Sequence, residues 1–426
     1  MEKLDFVGQV AITKMELVSI VTGVSVDIRN LMVEMNIYED IFSNYLSGTI
    51  TISDSLDLIN NIPLVGEENL VIEYHTPTID SKLGHISNRF AVYKISDRAL
   101  NADKSQMYIL HFMSVEAFAD MHIKLGKSYK GNLSKIAARL FTDNDALGAS
   151  DEIAKKSVFE ETANAYQFVV PGWSPMKAIN WIAARSVSRD FKTSNYLFYQ
   201  DNFKYNFVSI DSLIVKPSTM KFVYTNINVK QLEKNQLPGF SAYNIVRHAI
   251  NDVVFDISDR MLHGAYASKL VVYDILSKKV YNQELDYIKD FGKTKHLNKF
   301  PFNSSKITRN PLSHIIYYPT HQGMFDEFGI DDPEMWVLQR SSLMNQIESH
   351  KTEITVPGRS DYYVGMTIDY VFNTVQHHDK KNGDKDAVEN YHSGKYLVSA
   401  INHRFSRNEH ECILSLVKDS ITSNLG

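Results

Sequence analysis

The sequence is poor in the residues that most often betray a location or a chemistry. Among 426 residues there is one cysteine, Cys412, so no internal disulfide can form, which fits a reducing compartment during folding. No run of about 18 apolar residues occurs, which excludes a membrane-spanning helix. The N-terminus, Met1-Glu2-Lys3-Leu4-Asp5, is acidic and carries no apolar stretch of the kind a secretory signal needs. A basic surplus is missing as well. Lys+Arg total 45 against Asp+Glu 50, a net charge of −5 with His neutral, and both signs are interspersed. Proteins that grip phosphate backbones usually show a basic excess or block, so nucleic-acid gripping is disfavoured.

Catalytic signatures are equally scarce. Gly292-Lys293-Thr294 has the tail of a phosphate-binding loop, but no glycine stands five residues earlier to shape the backbone nest. There is no HExxH zinc helix, GxSxG elbow or GxGxxG turn. His377-His378, with His392 and His403 nearby, could be imagined around a metal. Adjacent strand residues point to opposite faces, however, and the flanking Asp379, Lys380 and Lys381 read as a solvated loop. Glu160-Glu161 and Asp331-Asp332 are candidate carboxylate pairs, yet glycosidic pairs need a defined gap across a cleft, and a helix cap already explains Asp332. Cys412 falls in an alternating strand, as a core thiol does. The aromatic hairpin from Tyr196 to Phe207 reads as sheet packing, since only Lys204 accompanies it to make a stacking platform. The expectation is no catalytic, cofactor-binding or metal residue, and no enzyme.

What is abundant is aromatic side chain: Tyr 23, Phe 22 and Trp 3. With many Ile, Val and Thr this favours strands, and the length suggests about three domains at roughly 150 residues each. Alternation predicts strands at 24–28, 32–37, 49–53, 69–74, 90–97 and 107–113, with Ile41, Phe42, Tyr45 and Leu46 sharing the face of a helix over 38–46 that Gly48 ends. The middle predicts helices at 132–141 and after Ser174-Pro175, then a hairpin over 195–209. Strands return at 268–273 and 279–287. Asp332-Pro333 opens a helix over 332–349 with Trp336, Arg340, Leu343, Met344 and Ile347 on one face. Strands at 367–372, 395–403 and 411–417 close the chain, and the polar stretch 377–390 reads as a loop. The division expected is 1–113 (a β module), 114–264 (an α+β insertion) and 265–426 (a second β module).

Those two β modules look like copies. Ile50-Thr51-Ile52 matches Ile354-Thr355-Val356 at an offset of 304 (354 − 50). Leu64-Val65-Gly66 matches Tyr363-Val364-Gly365, and Ile72-Glu73-Tyr74 matches Ile368-Asp369-Tyr370. The stretch Phe90 to Arg98 matches Tyr396 to Arg404, and Ile109-Leu110 matches Ile413-Leu414. Shared order and near-constant offset argue for a duplicated barrel or sandwich, with the helices 38–46 and 332–349 in equivalent places.

Read together, these motifs resemble the baseplate central hub of contractile-tailed, T-even-like bacteriophages, and more distantly the hub part of secretion-system spike proteins. The first tube-like domain is represented by Tyr38-Glu39-Asp40-Ile41-Phe42, the stretch Leu46 to Asp54, and Ile62 to Glu68. The inserted domain is represented by Trp173 to Trp181 and by the hairpin through Leu213. Ala267 to Leu270 with Tyr273-Asp274, Val356-Pro357-Gly358, Gly365 and Ser393 to Val398 represent the second tube-like domain. The resemblance implies a homotrimer whose two modules per chain make a pseudo-sixfold ring. It further implies a seat for the tail tube or a tube-initiator protein, the central spike and the baseplate wedge proteins. DNA would pass through the lumen without specific binding, in a virion tail baseplate assembled in the host cytoplasm. Absence of a C-terminal spike or lysozyme extension favours a separate hub subunit. The alternatives are a tail-associated cell-wall hydrolase using Glu160 and Glu161, and a host-glycan-binding tail module using the Tyr196–Phe207 aromatics.

Overall fold

The computed structural model describes residues 6–61, 64–77, 79, 84–100, 105–224, 246–253, 257–302, 314–320, 332–348, 350–372, 389, 391–407 and 409–423. His377-His378, Asp331 and, save Glu389, the polar stretch 377–390 lie outside the described residues. The chain opens with strands β1 (Ala11–Val18), β2 (Ser25–Asp27), β3 (Met32–Asp40), β4 (Ser47–Asp54), β5 (Asn69–His75), β6 (His85–Leu100) and β7 (Gln106–Ser114). A mixed unit follows: α1 (Val115–His122), β8 (Ser128–Asn132), α2 (Leu133–Thr142), β9 (Val158–Phe159), β10 (Ala165–Val169), α3 (Pro175–Arg185), β11 (Tyr196–Gln200) and β12 (Tyr205–Ser209). Then come β13 (Met220–Tyr224), β14 (His248–Val253), β15 (Ala267–Asp274), β16 (Lys279–Asp286), β17 (Phe300–Pro301), β18 (Ile315–Thr320) and α4 (Pro333–Ile347). Strands β19 (His350–Pro357), β20 (Thr367–Phe372), β21 (Gly394–Ser406) and β22 (Glu409–Lys418) form the last hairpins. The fold is mainly β with an α+β insertion. No helix among the described residues is long and apolar enough to cross a membrane.

One sheet joins strands from both ends of the chain in the order β14-β19-β22-β21-β3-β4-β7-β6-β5-β1-β2, with β20 beside β21 and β13 beside β20. The run β4-β7-β6-β5 therefore recurs as β19-β22-β21-β20. The copies agree in register as well as order. Ile50 faces Leu110 as Ile354 faces Leu414, and Ile95 faces Leu110 as Ile401 faces Leu414. Both copies bulge at the same place, between Val92 and Lys94 and between Val398 and Ala400. Above the bulge the Val92 N–H donates to Glu68 O at 2.8 Å, and the Val398 N–H donates to Met366 O at 2.9 Å. Gly66 and Gly365 stand beside these contacts with φ of 87° and 85°, a conformation open to glycine at little cost. Each module closes on its own core, around Ile50, Ile72 and Phe90 in the first and Ile354, Ile368 and Tyr396 in the second.

Two expectations about the repeat are corrected. Leu70 pairs with Phe90 where Ile368 pairs with Tyr396, so the counterpart of Ile368 is Leu70 and the match to Ile72 is slipped by two residues. A two-residue slip keeps every side chain on its face, which is why the pattern concealed it. The helix over 38–46 does not form. Residues through Asp40 stay in β3, which has strand partners on both sides. Asp40 then turns the chain, its Oδ1 accepting the Phe42 N–H at 2.8 Å and its carbonyl the Ser43 N–H at 3.0 Å. Two ladders outcompete one short amphipathic turn. Gly48 lies within β4 against Phe112, whose Cζ would stand 2.3 Å from an added Cβ. Helix α4 consequently has no counterpart in the first module, and the repeat rests on strands alone.

The remaining elements sit where the periodicity puts them. Asn132 caps α2 by accepting the Ser134 N–H, and Ser174 caps α3 by accepting the Lys177 N–H, each supplying an acceptor to the first turn. Helix α4 starts at Pro333, but the Asp332 side chain makes no cap hydrogen bond. Its buried residues are Pro333, Val337, Leu338, Ser342, Gln346 and Ile347, a face rotated from the one expected. Val337 and Leu338 pack on Leu270 and Val272 of the sheet β16-β15-β18. On another side, Arg340 donates to the Tyr196 carbonyl at 2.9 Å, so the helix bridges two units and reads poorly as amphipathic.

The turn that replaces the helix sets a test. Leu46 is fully buried whereas Phe42 is 40% exposed. Leu46→Ala should cost about 2–5 kcal/mol and Phe42→Ala about 1 kcal/mol or less, read from the midpoints of chemical unfolding. A helix over these residues would make the two losses similar.

Candidate functional site

The joint between the modules is the pairing of β3 with β21, antiparallel, from Asp40 opposite Ala400 to Met35 opposite Phe405. Alternation turns Glu39 inward from β3, His403 inward from β21, and His410 and Cys412 inward from β22. His403 lies directly across from Cys412, so the three β21–β22 side chains meet. His403 Nδ1 is 3.0 Å from His410 Nε2 and 3.4 Å from Cys412 Sγ, and Cys412 Sγ is 3.2 Å from His410 Nε2. His403 Nε2 faces Glu39 Oε1 at 2.8 Å. Glu39 also accepts from Asn202 Nδ2, at the tip of the β11–β12 hairpin, and from the Val364 N–H at 3.2 Å. All four clustered side chains are buried. Both modules and the inserted unit thus contribute to one polar centre.

Burial dominates its electrostatics. It pushes the His410 imidazolium well below the ordinary histidine range, helped by the neighbouring His403. Burial acts against charge on His403 too, but the Cys412 sulfur and the Glu39 carboxylate outweigh it and push His403 up to about 10. Of the two rings, His403 therefore holds the proton. Burial, with Glu39 nearby, also pushes Asp201 up to about 6. Its oxygens accept the Phe203 and Lys204 N–H groups and Asn206 Nδ2, each at 2.8 Å, which fixes the hairpin tip that carries Asn202.

Among solved structures the chain is similar to the tail protein from Neisseria meningitidis MC58, with a TM-score of 0.56 and 10% identity over 95% of this chain and 96% of that one. It is similar, too, to the 43 kDa tail protein of prophage MuSo2 from Shewanella oneidensis, with a TM-score of 0.55 and 10% identity over 96% and 99%. The chain has the phage tail-protein fold. No family model matches the sequence, and no curated protein matches it. At this identity the likeness is one of fold.

On that tail-protein fold the sequence candidates scatter. Glu160 accepts from Ser188 Oγ, Tyr196 O–H, the Ser209 N–H and Ser209 Oγ at 2.8–3.2 Å, and so acts as a half-buried clasp. Glu161 pairs with Arg189 on the surface, lining an open polar cavity of about 420 Å³ with Lys135 and Lys192. The two carboxylates do not face one another across that cavity. Tyr196, Phe198, Tyr199, Tyr205 and Phe207 are buried and offer no stacking face. Lys293 ion-pairs with Asp290 at 2.7 Å on a surface turn. His392 joins a different group, its ring 5.3 Å from that of His350 and its Nδ1 on Glu389, while His403 belongs to the joint.

Sequence reading passed over Glu39 and His410. The signal for His410 was available: His410-Glu411-Cys412 is an i, i+2 pair on one strand face, a short turn away from His403. Glu39 could not be found this way, because only the β3–β21 pairing brings it within reach.

The His350 group has a measurable consequence. Lys418 lies opposite His350 across β19–β22, with its ammonium over the Tyr396 ring, 4.6 Å from the ring centre, and donating to the Tyr391 carbonyl. Burial lowers Lys418 to about 7. Burial first, then Lys418 and His392, lowers His350 to about 3. In both cases the unfolded chain holds the proton more readily, so stability rises with pH. The rise spans about 3 to 6.5 for His350 and about 7 to 10.5 for Lys418. Lys418→Met should flatten the climb in urea midpoint between pH 7 and pH 10 and shorten the acid limb without removing it, because burial is the larger cause of the His350 shift.

Proposed function

We propose that this chain is the structural hub subunit of a contractile phage tail baseplate. It would act as a homotrimer that joins a sixfold tail tube to a threefold central spike, without catalytic turnover. The observation that carries this reading is a pair of unmatched sheet edges. In the second module β21 has β22 on one side and, over Ala400–Phe405, β3 on the other. In the first module β6 has β7 on one side and β5 over His85–Ala91, and beyond Ala91 no further strand lies on the β5 side among the described residues. Ala99 and Leu100 are exposed there. At the opposite end of the sheet β14 pairs with β19 as β3 pairs with β4, and among the described residues no strand pairs with its other edge.

The repeat makes these edges complementary. The counterpart of β3 is β14 and the counterpart of β21 is β6, so β14 of one subunit fits β6 of the next as β3 fits β21 within the chain. Three chains then close a ring of six modules, and the rotation covers both the β14 and the β6 edges. A sixfold tube meets a sixfold face while a threefold spike meets the same trimer. The sequence resemblance to hub proteins supports the tube or tube-initiator, spike and wedge proteins as partners. It also supports placement in the virion baseplate after assembly in the host cytoplasm. The net charge of −5 suits a lumen through which DNA slides without sticking. The domain division proposed is two ring modules with the α+β unit between them. The hydrolase and glycan readings lose support, since Glu160 is fully engaged and the hairpin aromatics are buried.

Light scattering should report a particle of about 146 kDa, three times the 48.7 kDa chain, alone or with its cognate spike protein. The Ala99→Cys, Ile250→Cys double variant should form intersubunit disulfides under mild oxidation, since opposed strand positions lie about 4.5–5.5 Å apart. A protein that remained monomeric with both spike and tube partners would overturn the reading.

A further inference from the structure

We propose that His403, His410 and Cys412 bind one zinc-class divalent cation, which pins the last hairpin to the joint between the modules. The three atoms that meet there, Nδ1, Nε2 and Sγ, form a triangle with sides of 3.0, 3.2 and 3.4 Å. A point just above its centre lies about 2.0–2.3 Å from all three, the span of Zn–N and Zn–S bonds. Imidazole and thiolate are the ligands that borderline-soft first-row ions prefer. Three protein ligands leave a fourth place for a water.

The surroundings fit such an ion. His403 turns its other nitrogen, Nε2, to Glu39 at 2.8 Å. A carboxylate in that place holds the N–H on Nε2, which leaves Nδ1 as the nitrogen turned toward the metal and raises its basicity. The Val364 N–H and Asn202 Nδ2 fix the carboxylate in turn. Cys412 thiolate and Glu39 would bring two negative charges into a buried site, and a divalent cation balances them. Ligation by a thiolate and neutral imidazoles makes uptake proton-coupled, so binding weakens as pH falls.

The internal repeat offers a control within the same molecule. The first-module counterparts of Gly358, His410 and Cys412 are Asp54, Gln106 and Tyr108. There Asp54 Oδ2 accepts from Gln106 Nε2 at 3.0 Å and from the Tyr108 O–H at 3.4 Å, a self-sufficient hydrogen-bonded set with no ligand trio. In the second module glycine replaces the aspartate, and a Cβ on Gly358 would stand 2.2 Å from His410 Cγ. The carboxylate has been removed and its space given to an imidazole. His410 Nδ1 has no hydrogen-bond partner among the described residues, so the ring is held by stacking on Phe405, 4.3 Å between ring centres, and by what its Nε2 faces.

The test uses the purified full chain, stripped with a chelator and reloaded with Zn2+ or Co2+. Elemental analysis should find about one equivalent per chain, the cobalt form should show thiolate-to-metal charge-transfer absorption, and Zn2+ should raise the melting midpoint. Cys412→Ser should abolish the charge-transfer band, Glu39→Gln should weaken zinc about 10- to 100-fold, and His263→Ala, an exposed histidine, should change neither. Folded wild-type protein that took up neither ion, or a Cys412→Ser variant that kept the cobalt–thiolate band, would overturn the proposal. Because the first result is read on wild type, a variant that failed to fold would not obscure it.

Discussion

The arrangement depends on the backbone pairing of β3 with β21, strands whose partners lie about 360 residues apart in sequence. Loop-closure entropy grows only slowly with length, so thermodynamics tolerates so distant a contact. Kinetics tolerates it less well, because a pairing of this separation forms late. What makes the seam specific is its inward face. Glu39 from one module meets His403 from the other, and both are fully buried. A slip of one residue between the strands would turn one of these groups to the opposite face and break the pair. Removing one member of such a buried pair is costlier than never having built it, so the seam's polar centre fixes register where apolar side chains alone would permit sliding.

The two copies have diverged by changing what fills a common frame. Strand order and the bulge after Val92 and Val398 persist, whereas β6 has a second bulge between Ser96 and Ala99 that β21 lacks. The first module adds β1 antiparallel to β5, and the second adds β13 parallel to β20. The second recruits β13 and β14 from the segment between the inserted unit and the sheet β16-β15-β18. A frame of alternating strands restrains only which positions face inward, which leaves residue identity free to drift so long as volume and pattern are kept.

Legibility followed the same division. Strands at 69–75 and 106–114, the capped helices α2 and α3 and the β11–β12 hairpin were readable because their signals are local: period two, or an N-cap at a fixed offset. The stretch 38–46 misled because Ile41, Phe42, Tyr45 and Leu46 do satisfy a helical spacing. What overrules it is β21, which sequence periodicity cannot see. Strand β14 was missed for the opposite reason, since His248-Ala249-Ile250-Asn251 barely alternates and becomes a strand only beside β19. The joint was half legible. His410 and Cys412 share a strand face within three residues, whereas Glu39 enters through a contact that no local pattern encodes.

The likeness between β14 and β3 has a consequence for assembly in the proposed ring. If the two modules of a chain were identical, the seam within a chain and the seam between chains would be chemically alike, and nothing would distinguish a trimer from an open filament. They are not alike. The internal seam carries Glu39 and His403 and is made permanent by chain connectivity. The external seam of the proposed ring would set Ala249 and Ile250 from β14 against Ala99 and Leu100 from β6, apolar groups that are not ionisable. An interface of that kind costs little desolvation of polar side chains when it forms. Divergence after duplication would thus have given one seam the role of register and the other the role of assembly.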